Sequence, residues 1–200
     1  MLLPRIVGIA GTNGSGKDTA GHLLSERYGY LFISVTDMLR DELASRGLPP
    51  SRENMRNLSA EWRREFGLGV LVDKALKVYE KIDSDKKMTG LAMASLRNPG
   101  EVDRVHELDG IVLWLDADPR VRYERIQANL LSRGAQRLVD DQKTFEQFQA
   151  EETAEMRHSG DAATLSLSDV KARADLQLLN NSLDMEAFSR DIDQLFKSKN

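Results

Sequence analysis

Near its amino end the chain reads Gly11-Thr12-Asn13-Gly14-Ser15-Gly16-Lys17-Asp18-Thr19, and this stretch decides the fold. It follows the apolar run 5–10 and precedes a helical pattern that continues to Tyr28. A strand, a glycine-rich turn and a helix in this order form the context in which G-x-x-x-x-G-K binds phosphate. Glycines allow torsions and close approaches that a Cβ would prevent, so amide N–H groups can converge on an anion. The expected phosphate-binding residues are Gly11, Asn13, Gly14, Ser15, Gly16, Lys17, Asp18 and Thr19.

Lys17 and the two residues after it carry the chemistry of this turn. A lysine ammonium group is a point charge that can reach the terminal phosphates of a nucleotide, so we assign Lys17 a catalytic role. In P-loops a Ser or Thr usually follows the lysine, and its hydroxyl holds Mg²⁺. Here Asp18 takes that place and Thr19 follows. Asp18 either complements the dipole of the helix N-terminus or binds Mg²⁺, and we keep Asp18 and Thr19 as candidate metal ligands.

The composition argues against several functional classes. The chain has 200 residues, no cysteine and a formal net charge of −4. This length fits one domain, and the lack of cysteine excludes a disulfide framework, a zinc–thiolate site and a thiol nucleophile. An acidic chain has no global attraction to nucleic acid, and no apolar stretch is long enough to span a bilayer. We expect a cytoplasmic monomer or homodimer without a secretory signal, which binds small molecules rather than nucleic acid or membranes.

Short apolar runs alternate with helical patterns along the chain. Strands are predicted at 5–10, 30–35, 88–95, 110–116 and 174–181. Helices are predicted at 17–28, 38–45 with a cap at Thr36 or Asp37, 51–66, 70–82, from 118 onward, at 145–157 with a Thr144–Gln147 capping box, and at 183–196. The predicted fold is therefore α/β, a three-layer αβα structure on a five-stranded parallel sheet, with phosphate bound at the carboxyl ends of the strands.

These motifs resemble those of the P-loop nucleoside monophosphate kinase superfamily. The stretch Ser15–Thr19, S-G-K-D-T, is similar to that of deoxynucleoside monophosphate kinases and dephospho-CoA kinase-like proteins, where adenylate kinases read G-K-G-T. The stretch Ile33–Arg40, I-S-V-T-D-M-L-R, resembles I-S-T-G-D-M-L-R of adenylate kinases, whose arginine contacts the acceptor phosphate. The resemblance implies that Asp37 and Arg40 lie at the acceptor site. The alternative is a solvated Arg40 that pairs with Asp37 or Glu42.

The next predicted helix is locally basic within an acidic chain. Its arginines are Arg52, Arg56, Arg63 and Arg64. Arg56 and Arg63 can lie on one face of a helix. Such charges are either a solvated surface or a second set of contacts for the acceptor phosphate. We keep Arg56 and Arg63 as substrate-binding candidates.

The third predicted strand ends in Ser95-Leu96-Arg97-Asn98-Pro99-Gly100-Glu101-Val102. This run is similar to the D-x-R or D-G-x-R run, followed by P-x-E-V, of the deoxynucleotide and dephospho-CoA kinase-like branch. The resemblance implies that Arg97 acts in catalysis and acceptor binding, and the alternative is a structural pair with Glu101. The family aspartate is absent, because Ala94 and Ser95 occupy its place. In the family that carboxylate positions Mg²⁺ or the acceptor. Its absence leaves three alternatives: another carboxylate takes its role, turnover is slow, or catalysis has been lost.

The helix from Asp118 leads, by the same resemblance, into a mobile lid whose arginines contact the transferring phosphoryl group. A planar charged guanidinium suits a transition state with charge spread over oxygens, so Arg122, Arg133 and Arg137 are the catalytic candidates here. The last predicted strand resembles the closing A-D-x-x-I-x-N strand of these kinases, which implies that Asn180 lies near the donor base. The glutamates of helix 145–157 are expected to be solvated: Glu151, Glu152 and Glu155.

The resemblance as a whole implies one P-loop kinase-like domain over 1–200. Its core would comprise 1–36, 87–125 and 161–200, with an acceptor-binding helical insertion at 37–86 and a lid at 126–160. The implied function is transfer of phosphate from ATP, with Mg²⁺, to a nucleoside or deoxynucleoside monophosphate, or alternatively to a dephospho-CoA-like hydroxyl. The second class is a nucleotide-binding regulatory protein with weak ATPase activity, which the missing carboxylate favours. The third, a nucleic-acid end kinase, is disfavoured by the acidic charge.

Overall fold

One parallel sheet forms the centre of the molecule. The computed structural model describes residues 4–129, 142–157, 160–182 and 184–197. The strands are β1 (Ile6–Gly11), β2 (Leu31–Ser34), β3 (Leu91–Leu96), β4 (Ile111–Asp116) and β5 (Leu176–Leu179), in the order β2-β3-β1-β4-β5. Every neighbouring pair is parallel. The predicted fold class is confirmed, and the carboxyl end of β1 opens at the middle of the sheet.

Helices cover both faces of this sheet. In the described ranges they are α1 (Lys17–Tyr28), α2 (Val35–Ser45), α3 (Arg52–Phe66), α4 (Val70–Lys86), α5 (Pro99–Glu107), α6 (Pro119–Ala128), α7 (Phe145–Met156), α8 (Leu167–Arg173) and α9 (Met185–Lys197). Two distinct apolar cores result. One packs β1, β3 and β4 against α2 to α5 and α8, and the other packs the opposite face against α1 and α9. No helix in the described part of the chain has the length and apolar character to cross a lipid bilayer.

Some predicted boundaries are wrong. Helix α2 begins at Val35, directly after β2, and Ser34 is its N-cap residue, so the predicted cap at Thr36 or Asp37 is wrong. Helix α4 continues to Lys86 through a segment predicted to be a polar loop. The sequence analysis also missed α5 and α8. Pro99 stands in the first turn of α5, and α8 has only 7 residues, too few for a helical period to be recognised.

Side-chain caps fix the helices that carry candidate site residues. The Oγ of Ser51 accepts from the backbone N–H of Asn54 at the start of α3. The predicted capping box of α7 is confirmed, because Thr144 and Gln147 each accept from the other's backbone N–H, at 3.3 and 2.9 Å. These caps satisfy N–H groups that the first helical turn leaves without partners. The starting points, and hence the side-chain faces, of α3 and α7 are therefore well defined.

Candidate functional site

The glycine-rich turn between β1 and α1 has the geometry of an anion cradle. Gly14 and Gly16 have φ values of 81° and 101°, which residues other than glycine rarely adopt. A Cβ on Gly16 would lie 2.8 Å from the Nδ2 atom of Asn180. Gly16 is also the N-cap residue of α1, and it has no side chain that could cover the first amides of the helix. The first N–H groups of α1 are therefore available to an anion, whereas those of Thr12 and Ser15 bond to backbone carbonyl oxygens.

Lys17 reaches back over this turn. Its side chain is buried, and its Nζ atom donates to the carbonyl oxygen of Thr12 at 2.5 Å. Burial, and then the positive charge of Arg97, lowers the pKa of Lys17 to about 7. A phosphate group that binds beside this amine would raise its pKa again, because the anion stabilises the ammonium form. Lys17 therefore lies over the turn, where a bound phosphate would favour its charged form.

Two neighbouring strands hold the turn from the other side. The Oγ1 of Thr12 donates to Asp116 at the end of β4, at 2.8 Å. Just beyond β5, the Nδ2 of Asn180 donates to the carbonyl oxygen of Ser15 at 2.9 Å. The sequence analysis missed Asp116, although an acid at the carboxyl end of a buried strand was a visible signal. Asn180, predicted near the donor base, contacts the phosphate turn itself.

A cavity of about 460 Å³ extends from this turn across the carboxyl ends of the strands to α2 and α3. Many of the predicted site residues line it: Asn13, Gly14, Gly16, Lys17, Asp18, Thr19, Arg40, Arg56, Arg63, Arg97 and Asn180. Four others lie outside its lining: Gly11, Ser15, Asp37 and Arg122. The predicted catalytic residues Arg133 and Arg137 lie outside the described residues. The cavity therefore joins the phosphate turn to the predicted acceptor region.

Arg63 borders the cavity but directs its guanidinium group into the protein. Two of its nitrogens donate to one Glu101 oxygen, at 3.0 and 2.6 Å, and a third donates to the Ala163 carbonyl oxygen. Both side chains of the Arg63–Glu101 pair are almost completely buried. The other Glu101 oxygen accepts from the backbone N–H groups of Arg97 and Asn98. This pair fixes the turn at the end of β3 and leaves few Arg63 donors for a ligand.

Arg56 and Arg97 share one carboxylate. Glu155 of α7 accepts from Arg56 at 2.7 Å and from Arg97 at 2.6 Å, and its side chain is only 9% exposed. Burial alone would raise the pKa of Glu155, but Arg97, then Arg56 and Arg52, lower it to about 2. The Arg97 side chain therefore pairs with Glu155 rather than with Glu101, the partner that the sequence left open as an alternative. The expectation that Glu155 is solvated is wrong, because its largely buried carboxylate pairs with both Arg56 and Arg97.

Arg122 lies beneath the phosphate turn, and its charge is also neutralised. Its side chain is buried and donates to both carboxylate oxygens of Glu152, to the carbonyl oxygen of Ala117 and, at 3.4 Å, to that of Asn13. The expectation of a solvated Glu152 is therefore wrong as well. Glu151 pairs with Arg52 and Lys143, so it too is more than a solvated surface charge.

Arg125, which follows three residues after Arg122, lines the cavity instead. Its Nη2 atom donates to the carbonyl oxygen of Ser182 at 2.5 Å, and burial lowers its pKa. Its Nη1 atom and the Nδ2 atom of Asn13 are buried without a hydrogen-bond partner. Buried donors of this kind are costly unless a ligand completes them. These two N–H donors without partners lie beside the phosphate turn, where a bound anion could accept hydrogen bonds from them.

Arg40 and Asp37 form an ion pair on the first turns of α2. The Nη1 atom of Arg40 donates to an Asp37 oxygen at 2.5 Å. Arg40 lines the cavity, and its side chain is 22% exposed. The pairing matches the alternative that the sequence left open, while the position at the cavity matches the acceptor hypothesis. Both observations hold together, since an exposed ion pair on a helix is weak and exchanges easily.

Ser95, one of the two residues where the resemblance would place an aspartate, has an unusual backbone. Its φ is 74°, and the β1–β3 register skips Ser95, so that Ile9 pairs with Ala94 and Ala10 with Leu96. This bulge turns Ser95 to the cavity, while Ala94 is buried in the sheet. Backbone strain of this kind concentrates at functional sites. Of the two residues, Ser95 therefore faces the cavity and Ala94 does not.

The oxygen donors near the turn fit a magnesium ion that arrives with a nucleotide. Asp18 and Thr19 line the cavity in the first turn of α1. In the ranges that the structure describes, no cluster of three or more Asp, Glu or His side chains could hold a metal by protein ligands alone. Mg²⁺ keeps water and phosphate ligands readily and needs only one or two protein oxygens. Asp18 and Thr19 are the protein residues that would hold it.

Known protein families match most of this chain. A family model described as an AAA domain matches residues 10–146. The UPF0200 protein of Pyrobaculum aerophilum is 30% identical over 189 residues, which cover 94% of this chain and 94% of the relative. The UPF0200 protein of Pyrococcus abyssi is 27% identical over 197 residues, with coverage of 96% and 95%. These similarities extend over nearly the whole of each chain.

Solved structures share the fold. Shikimate kinase from Bacteroides thetaiotaomicron has a TM-score of 0.58 at 12% identity and covers 96% of this chain and 98% of its own. Shikimate kinase from Aquifex aeolicus has a TM-score of 0.55 at 16% identity, with 97% coverage of both chains. At such low identities the likeness shows the fold alone.

Proposed function

The chain belongs to the UPF0200 family and has a P-loop kinase fold, and on that premise we propose that it is an ATP-dependent phosphotransferase. The proposed acceptor is a small phosphorylated molecule, a nucleoside or deoxynucleoside monophosphate. One observation carries the proposal: a single cavity joins the phosphate turn to Arg40, Arg56 and Arg97. A phosphotransferase needs such a space, because donor and acceptor phosphates must meet in line.

The phosphate turn is the donor end of the proposed reaction. Its amides and Lys17 would hold the β- and γ-phosphates of ATP. The orphaned Nδ2 of Asn13 and Nη1 of Arg125 support this assignment, because both are buried donors that a bound nucleotide could satisfy. Asn180 keeps the turn in shape through its bond to Ser15. Mg²⁺, held by Asp18 and Thr19, would neutralise charge on the phosphates.

The acceptor end combines apolar and cationic side chains. Val35, Leu39, Met55 and Leu71 line the cavity next to the arginines. An acceptor with a flat, largely apolar ring and a phosphate group fits this lining. In the proposed transfer, an acceptor phosphate oxygen forms a bond to the γ-phosphorus as ADP leaves with the bridging oxygen. Arg40, Arg56 and Arg97 would position the acceptor, and Arg97 and Arg122 would stabilise the charge on the transferring group.

The domain division follows from this assignment. We assign 37–86 to the acceptor-binding insertion, 126–160 to the lid, and 1–36, 87–125 and 161–200 to the core. Helices α3 and α4 and all but the first two residues of α2 lie in the insertion, and α7 lies in the lid. The core and the insertion then contribute positive charge to the cavity, and the lid contributes the carboxylate of Glu155.

Transfer of radiolabel from [γ-³²P]ATP tests the proposal. Wild-type protein with Mg²⁺ is incubated with AMP, UMP, dCMP, dGMP, dTMP, dephospho-CoA or shikimate, and with Lys17→Ala as the variant control. We expect label to appear in at least one nucleoside diphosphate and to be lost with Lys17→Ala. Label in dephospho-CoA or shikimate alone would keep the kinase and replace the acceptor. No transfer to any of them, with ATP bound, would contradict the proposal.

A nucleotide-binding regulatory protein with weak ATPase activity is the second candidate. The serine at position 95 favours it, because the family carboxylate is absent there. Asp accepts positive φ more readily than most residues, so Ser95→Asp suits this backbone. If the chain is a kinase with reduced activity, Ser95→Asp raises transfer. If it is a regulator, ATP binds tightly, and both wild type and Ser95→Asp remain without transfer.

A further inference from the structure

A carboxylate of the chain occupies the position where the proposed acceptor needs its own anion. Glu155 lies between Arg56 of α3 and Arg97 after β3, with N–O distances of 2.7 and 2.6 Å. It lines the cavity and is almost completely buried. Two guanidinium groups from separate elements that converge on one carboxylate form the geometry used to bind a phosphate. Glu155 therefore fills an anion subsite in the absence of ligand.

The same helix also holds an arginine at the donor end. Three positions before Glu155, Glu152 makes two hydrogen bonds to Arg122. Arg122 in turn donates to the carbonyl oxygen of Asn13 in the phosphate turn. A rigid helix thus connects a cation at the phosphate turn with the two cations of the acceptor end. Movement of one glutamate with the helix must change the contacts of the other.

We propose that α7 is a carboxylate latch, defined by Glu152 and Glu155, which an incoming phosphate group displaces. The phosphate takes the place of Glu155 on Arg56 and Arg97, and the departing helix withdraws Glu152 from Arg122. Arg122 is then free to contact the donor phosphates only after the acceptor has arrived. The role assigned to the acceptor rests on the proposed function, whereas exchange of one anion for another requires no phosphoryl transfer.

The charges favour this exchange when a phosphate is present. A carboxylate brings one negative charge, while a phosphate monoester brings up to two and offers three acceptor oxygens. Both anions cannot share the two arginines, since like charges in a buried site repel. Binding of phosphate and docking of α7 are therefore coupled with opposite sign, and the coupling is reciprocal. Removal of the Glu155 charge must strengthen phosphate binding.

Calorimetric titration with inorganic phosphate tests this coupling. The Lys17→Ala chain serves as background, so that the phosphate turn contributes less, and Glu155→Gln is added to it. We expect phosphate affinity to rise about tenfold or more, the range for hydrogen bonds to charged groups. Glu124→Gln, an exposed glutamate of α6, is the matched control and should leave affinity unchanged. Equal affinity with and without Glu155→Gln would overturn the latch.

Hydrogen exchange on the unmodified chain decides the matter if Glu155→Gln does not fold. Phosphate should accelerate amide exchange in α7 and leave unchanged the exchange in α5, which has no residue in the cavity lining and serves as the internal reference. Unchanged or slower exchange in α7 would overturn the latch. The two proposals fail separately. If Glu155→Gln does not raise phosphate affinity and phosphate does not accelerate exchange in α7, but phosphoryl transfer is intact, only the latch is wrong. If both phosphate effects are found but the chain neither binds ATP nor transfers phosphate, only the kinase assignment is wrong.

Discussion

At the phosphate turn the cavity is lined by glycines, by short polar side chains, and by Lys17 and Arg125, whereas at the acceptor end long arginine side chains line it, among them Arg40, Arg56 and Arg97. The turn is held by glycine torsions and by Asn180, so its shape exists without a ligand. Arg56 and Arg97 have their charges satisfied by Glu155. One end is thus preformed, and the other must exchange an internal partner for an external one. With the proposed function, this difference predicts rigid recognition of the donor and adjustable recognition of the acceptor.

Arg63 provides the largest expected effect, because it separates structural arginines from those available to a ligand. Arg63→Ala leaves Glu101 buried without its charge partner, which costs about 3–5 kcal/mol of unfolding free energy. Arg64 is its neighbour, and its pair with Asp161 is exposed on both sides. Arg64→Ala should therefore cost less than about 1 kcal/mol. Urea unfolding measures both, and similar losses for the two variants would place Arg63 among the exchangeable arginines.

Gly16 and Gly47 test whether the phosphate turn is preformed. Both have positive φ, 101° and 69°, but only a Cβ at Gly16 meets another residue within 4 Å. Each change to alanine should destabilise the fold by about 1–3 kcal/mol through backbone strain. Gly16→Ala should also displace Asn180 and weaken ATP binding, while Gly47→Ala should leave ATP affinity intact. Calorimetry with ATP would contradict a preformed turn if the two variants bound ATP equally well.

The uptake of a proton when ATP binds is the smallest expected effect, and it probes Lys17 at the phosphate turn. The pKa of Lys17 is lowered to about 7 in the free chain, so above pH 7 the amine is mostly neutral. Bound phosphates favour the ammonium form, so ATP binding at pH 8 should take up a large fraction of one proton. Calorimetry in buffers of different ionisation enthalpy measures this uptake. Equal heats in all buffers would mean that Lys17 is already charged.

The same pKa has a consequence for stability. The folded-state pKa lies below the usual value of about 10.4, so the unfolded chain binds more protons between pH 7 and pH 10. The contribution of Lys17 to stability therefore rises as pH increases through this window. Lys17→Ala should flatten that part of the stability profile. A profile that Lys17→Ala does not change would contradict the lowered pKa.

The phosphate turn was predictable from sequence, because its geometry is written in nearby residues. Glycines at 14 and 16 with a lysine at 17 specify the turn, and the strand and helix patterns around them place it in the sheet. The parallel fold followed from the alternation of elements for the same reason. Arg122 was named from the family resemblance, and only the packing of α6 shows that Arg125, rather than Arg122, lines the cavity.

The pairing at the acceptor end was not predictable. Arg56 and Glu155 are 99 residues apart, and Arg97 and Glu155 are 58 apart. A run of glutamates on a helix has the pattern of a solvated surface, and no local signal says which arginines it will meet. Ser95 shows the same limit, because the bulge that turns it to the cavity arises from the β1–β3 register. Long-range pairing therefore decides what short patterns leave open.

The proposed donor and acceptor sites share one cavity, so a single ligand that carries both groups should occupy both ends at once. Calorimetry with bis(adenosine) pentaphosphate, compared with ATP, tests this most directly on wild type, Lys17→Ala and Arg97→Ala. We predict that Lys17→Ala weakens binding of both ligands, while Arg97→Ala weakens the bisubstrate ligand about tenfold or more and ATP only slightly. Equal effects of Arg97→Ala on the two ligands, or none on either, would contradict a donor and an acceptor site in one cavity.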